Sequence, residues 1–170
     1  ELYALEIAQS GVDKIKARKL TKLKEAQTFD GYQIPYPDDS FDLIILAHVL
    51  EHVEHERVLI RELKRAAKYI VIEVPKDYRF GVDKRMKHFL AYGHINMYTP
   101  TSLRFLLKSE GLVLMADKVS MTKPEVNYFN EFINKKANKS IGKQLKIQLE
   151  YHIKRILGNL IGQNKKEQFA

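Results

Sequence analysis

Cysteine is absent from the 170 residues, which excludes a disulfide framework, a thiolate zinc site and a thiol nucleophile. Long apolar runs are missing as well. The stretches present, Leu43 to Ala47 among them, fall far short of the ~20 residues that a membrane-spanning helix needs. The N-terminus, ELYALEIAQS, enters in mid-pattern, with neither the basic region nor the apolar stretch of a secretory leader. No internal repeat or low-complexity segment is visible. The lack of cysteine is compatible with a reducing compartment, and a cytoplasmic location is the expectation.

What is present is ordinary for a soluble domain: 45% hydrophobic and 29% charged residues in a chain long enough for one core. The net charge of +8 invites a nucleic-acid reading, but its distribution argues against one. From Met121 onward there are ten Lys or Arg against four Asp or Glu, so most of the excess lies in the tail. The aromatics among these cations (Lys123, Lys135, Lys136, Lys139, Lys143, Lys146, Lys154, Arg155, Lys165 and Lys166) do not alternate with them in a pattern that suggests base stacking. A solvated or interaction face is the favoured reading, and nucleic acid is not the expected partner.

Hydrophobic periodicity divides the chain. Leu2 to Ile7 reads as a strand, Ser10 to Leu20 as a helix, and Glu25 to Phe29 as a second strand closing on the Asp30-Gly31 turn. Ile34 to Ser40 is a Pro-rich loop, and Phe41 to Leu46 is too apolar to alternate, as a buried parallel strand should be. Glu54 to Ala67 fits a helix with Val58, Leu59, Leu63, Ala66 and Ala67 inward. Tyr69 to Val74 is the next strand, and Lys76 to Tyr98 reads as a long irregular connection. Thr99 caps a helix that runs to Glu110 and stops at Gly111. Leu112 to Val119 reads as a further strand, and a mostly helical tail carries the stripe Ile141, Leu145, Leu149, Ile153, Ile156 and Leu160. The fold class is therefore α/β, a Rossmann-like, doubly wound, mostly parallel sheet. Residues 1–122 form its α/β domain, with 123–170 a basic, mostly helical segment packed on it.

The stretch Asp30 to Val53, DGYQIPYPDDSFDLIILAHVLEHV, ends a strand directly in a polar cluster of His48, Glu51 and His52. Ligands of open α/β sheets sit at that end of the strands. His48, His52 and His55 also raise a metal reading, but HVLEH is not HExxH and no further ligand is evident, so no metal is expected. Glu51 and His52 read instead as anchors of the following helix.

The acidic-Gly turn, the Pro-rich loop and the SFD-strand-AHVLEHV run together closely resemble class I S-adenosylmethionine-dependent methyltransferases. YGHINMYTPTSLRFLLKSEGL resembles the segment before that family's sixth strand, and the likeness extends from Leu2 to Val119. The resemblance implies S-adenosylmethionine as cofactor. It assigns Glu6, with Ile7 beside it, to the ribose hydroxyls, and Asp30 and Gly31 to the adenine. Ala47 and His48 would line the methionine end, and His94 could serve as general base. A loop with Tyr92, His94, Asn96 and Tyr98 would lie near a small-molecule acceptor.

The family's first strand and its Gly-rich loop would precede Leu2, and a seventh strand would follow Lys123; neither is evident. The expectation is a truncated methyltransferase fold, a fragment of a longer protein without its central strand, left with unpaired edges and prone to homodimerise through them. Two rival functions remain: a non-catalytic, methyltransferase-like interaction domain, and a nucleic-acid methyltransferase. The second lacks an Asn-Pro-Pro-Tyr-type motif, AHVLEH standing in its place.

Overall fold

Four parallel strands in two pairs carry the molecule. The computed structural model describes residues 1–77, 82–120, 123–134 and 140–160. Strand β1 (Leu2–Glu6) pairs in parallel with β2 (Leu23–Thr28), and β3 (Phe41–Ala47) with β4 (Ala67–Glu73). Among the described residues no ladder joins β1 to β3. Rings join the two pairs instead: Tyr3 meets Phe41 and Tyr36 edge-on at 5.4 and 5.5 Å.

Each pair is closed by its own helix, as parallel strands require. Helix α1 (Gln9–Ala17) connects β1 to β2 and buries Val12. Helix α2 (Glu56–Ala66) connects β3 to β4 and buries Leu59, Ile60, Leu63 and Ala66. The stripe differs by one turn position from the expectation: Val58 is half exposed, and Ile60 takes its place in the core. Helix α4 (Pro100–Ser109) adds Leu106 and Leu107. Its start follows from sequence, since Thr99 and Ser102 form a reciprocal capping box, with Pro100 at the first position. Gly111 closes it at φ +78°, a conformation that costs glycine little.

Helices α2 and α4 cover one face of β3–β4, where Ile34, Leu46, Leu50 and Tyr98 complete the core. Burial of each large aliphatic side chain there contributes roughly 1.5–3 kcal/mol. Charge locks the same face: Glu110, just past α4, accepts from Arg57 (2.5 Å) and Arg61 (2.6 Å) of α2. Arg65 donates to the carbonyls of Ile34 and Tyr36 and to Asp38, pinning the Pro-rich loop onto α2. Among the described residues nothing covers the opposite face. Leu43 lies beside Tyr69 and Ile45 beside Val71 in the ladder, and all four are exposed.

Three sequence expectations need correction. Leu112 to Val119 forms no strand; Val113 and Met115 are exposed, and only Leu112 packs on the core. An isolated extended segment gains nothing without a ladder partner, and Arg104 ties it to α4 through Asp117 instead. Lys76 to Tyr98 is not irregular throughout, since α3 (Met86–Tyr92) forms there and ends on Gly93 at φ +69°. The tail stripe is not core: Ile141, Leu145, Leu149, Ile153 and Ile156 of α6 (Ile141–Leu160) are all exposed.

The tail itself begins with α5 (Pro124–Tyr128), continued by a π-helical turn, Phe129–Asn134. Tyr128 Oη donates to the Gln144 carbonyl at 3.1 Å, joining α5 to α6. Lys135, Lys136, Lys139, Lys165 and Lys166 lie outside the described residues, as does the chain end. Among the described residues no helix is long and apolar enough to cross a membrane.

Candidate functional site

The sequence-derived candidates other than His94 fall at or just past the carboxyl ends of the strands, in two groups. At the first pair, Glu6 ends β1 and its Oε2 accepts from the Ala8 amide at 3.4 Å. Gly11, in the first turn of α1, makes room for this side chain: a Cβ there would stand 2.6 Å from Glu6 Cγ and 2.9 Å from Oε1. Ile7 is 72% exposed and approaches Gly31, whose φ of +91° turns the chain after β2. Asp30 Oδ1 accepts from the amides of Gln33 (2.6 Å) and Tyr32 (2.8 Å). Those two bonds, Gln33's the stronger, hold its carboxyl below the usual carboxylate range. This is the Asx turn that its sequence favours, and it leaves Oδ2 as the acceptor for a ligand.

At the second pair, Ala47 ends β3 opposite Glu73, and the His48 amide extends the ladder to the Glu73 carbonyl at 2.9 Å. His48 itself has φ +55°. Non-glycine residues hold that conformation where the surroundings enforce it, often at functional sites. Its imidazole lies between Glu51 Oε1 (3.3 Å) and Glu73 Oε1 (3.5 Å).

The short 3-10 turn Leu50–His52 then meets the loop after α3. The Glu51 carbonyl accepts from both Ile95 and Asn96 amides (2.9 and 3.0 Å), and Asn96 Nδ2 donates to the carbonyls of Leu50 and Val53. This clasp lays His94 against His52, ring centroids 4.9 Å apart. His94 Nδ1 is hydrogen-bonded to the buried Asp77. Glu51 and Asp77 are the residues that sequence reasoning missed. Glu51 reads as a helix anchor, yet it is 1% exposed, and Oε2 has no hydrogen-bond partner among the described residues. Asp77 follows Pro75 in a loop, with no periodicity to mark it. His55 stands apart from this group, its ring against Tyr32.

A cleft of about 910 Å³ runs past Asp30 along the Pro-rich loop to Glu62 and Arg65, and is open to solvent. It does not include Glu6, Ala47 or His48.

Residues 3–116 match the model of a methyltransferase domain. The chain belongs to this methyltransferase domain family. Solved structures agree on the fold. A SAM-dependent methyltransferase from Thermotoga maritima aligns with a TM-score of 0.55 at 15% identity, over 64% of this chain and 53% of that one. The YcgJ protein from Bacillus subtilis gives 0.55 at 17%, over 66% and 53%. The chain thus spans about half the length of these structures. Among curated proteins, ajmaline N-methyltransferase of Rauvolfia serpentina is 42% identical over 38 residues, 22% of this chain and 13% of that protein. The α/β, Rossmann-like class read from the sequence is that of this methyltransferase domain.

Proposed function

We propose that this domain takes part in S-adenosylmethionine-dependent methyl transfer to a small-molecule acceptor. The observation that carries the reading is the pair of carboxylates, Glu6 and Asp30, at adjacent strand ends of a chain whose residues 3–116 match a methyltransferase domain. The residues fit the group. Glu6 can accept from both hydroxyls of a ribose, its position fixed by the Ala8 amide and the space over Gly11. Asp30 Oδ2 can accept from the adenine amine, and Gly31 and Ile7 form an open apolar edge against the ring. Ala47 and the strained His48 would face the methionine end.

The bound cofactor would supply an electrophilic methyl group on a sulfonium. The protein's part is then to align donor and acceptor, exclude water and, where the acceptor is protonated, take a proton. His94 is the candidate for that proton: the bond from Nδ1 to Asp77 leaves Nε2 as its basic nitrogen. The segment from Lys76 to Tyr98, part of it outside the described residues, would set the acceptor. The basic tail of residues 123–170 would pack on this domain or serve a partner.

Calorimetric titration with S-adenosylhomocysteine tests the cofactor site. Saturable binding weakened at least tenfold by Glu6→Ala and by Asp30→Ala is expected. Binding indifferent to both, or none up to millimolar ligand, would overturn the assignment.

A further inference from the structure

We infer that Glu51, His52 and His94 form a binding site for a divalent first-row transition cation, of which Zn²⁺ is the representative. One ligand atom from each of the three lies within 4.8 Å of the others. Tetrahedral coordination with bonds of about 2.0–2.1 Å separates ligand atoms by roughly 3.4 Å. Small side-chain rotations suffice to close the difference. Two nitrogens and a carboxylate oxygen form the donor set that zinc and its neighbours prefer over Mg²⁺ or Ca²⁺.

The hydrogen bonds around the three residues point the same way. His52 Nδ1 lies 3.0 Å from the Gly93 carbonyl, which can only accept, so Nδ1 carries the proton. In the neutral ring the lone pair is then on Nε2, and Nε2 faces Glu51 Oε1 at 3.9 Å. Two lone-pair donors held at that distance call for a cation between them. In His94 the bond of Nδ1 to the Asp77 carboxylate leaves Nε2 as the donor in the same way. A carbonyl and a carboxylate behind metal-bound imidazoles are the usual outer partners that fix tautomer and orientation.

Glu51 provides the independent observation. A carboxylate buried to 1% exposure with one oxygen unpartnered among the described residues is costly unless something compensates it. A cation bound through Oε1, the oxygen that faces His52, offsets that buried charge, with His48 in reach of the same atom at 3.3 Å as an outer donor. The sequence reading missed this site because it considered His48, His52 and His55 within one segment. The structure excludes His55 and brings His94 and Asp77 from more than forty and twenty residues away. A cation here would take the Nε2 lone pair that His94 otherwise offers to a proton. The inference does not rest on the cofactor reading.

Titration of the chelator-treated chain with Co²⁺, read by visible d–d absorption and by calorimetry, tests the inference without any methyl transfer. One equivalent should bind with a micromolar or lower dissociation constant, giving the intense bands of a four- or five-coordinate ion, and Zn²⁺ should displace it. Glu51→Gln, His52→Asn and His94→Asn should each weaken binding at least tenfold. Asp77→Asn, which touches no cation, should weaken it about tenfold through His94, and His152→Ala should leave it unchanged. Circular dichroism identifies any variant that fails to fold; the four substitutions lie on three separate segments, so the remaining ones still decide. No saturable Co²⁺ binding below millimolar, or binding indifferent to the folded site variants, would overturn the inference.

Discussion

The two faces of the β3–β4 pair are made of the same kind of residue and meet opposite fates. On one, Ile44, Leu46, Ile70 and Ile72 pack beneath α2 and α4, in a core where Leu50, Leu59 and Ile60 are fully buried. On the other, Leu43, Ile45, Tyr69 and Val71 stand exposed. Strands that are apolar on both faces are the mark of a parallel sheet layered between helices. The comparison therefore shows that residue character records the environment a strand suits, whereas stability comes only from the layer that covers it.

Substitutions can break this contrast in graded fashion. The largest effect is expected at the covered face, where Leu59→Ala or Leu63→Ala should lower unfolding free energy by about 2–5 kcal/mol in urea titrations. Next comes the end of α4. Gly111→Ala places a Cβ at φ +78°, 2.9 Å from the movable end of Lys64, and should cost about 1–2 kcal/mol, chiefly in backbone strain. Thr99→Ala removes one half of the capping box and should cost about 1 kcal/mol.

The Glu110 clamp makes the covered face sensitive to acid. Arg61, then Arg57, holds its carboxyl below the usual range. A folded pKa below the unfolded one gives stability that is complete above about pH 4.3 and is lost as pH falls through the folded value. The urea midpoint should therefore drop on acidification, and less steeply in Glu110→Gln. At the open face, Ile45→Thr or Val71→Thr should change stability by no more than about 0.5 kcal/mol. The same substitutions should reduce self-association in sedimentation, since they shrink an exposed apolar patch.

Much of this was legible in the chain. The Phe41 strand, the α4 cap and the Asp30-Gly31 turn depend on local rules, and each stands within a residue or two of its expected place. What failed depended on neighbours. Leu112 to Val119 has the right residues for a strand but no ladder to join, and the α6 stripe has helical spacing but no described surface against it. The candidate site divides in the same way. Glu6, Asp30 and His48 stand at or just past strand ends and are named through the family resemblance. The burial of Glu51 and the approach of Asp77 to His94 arise from a clasp between distant segments, which no period reveals.

That clasp has a kinetic consequence. Ile95 and Asn96 belong to no helix or strand, yet both amides donate to the Glu51 carbonyl beneath a side chain that binds Leu50 and Val53. Amides in an open loop exchange with solvent deuterium almost freely, whereas these two can exchange only when the loop parts from the Leu50–His52 turn. Their protection should resemble that of the core strands, so that a segment irregular in outline behaves as one of the slowest-opening parts of the molecule.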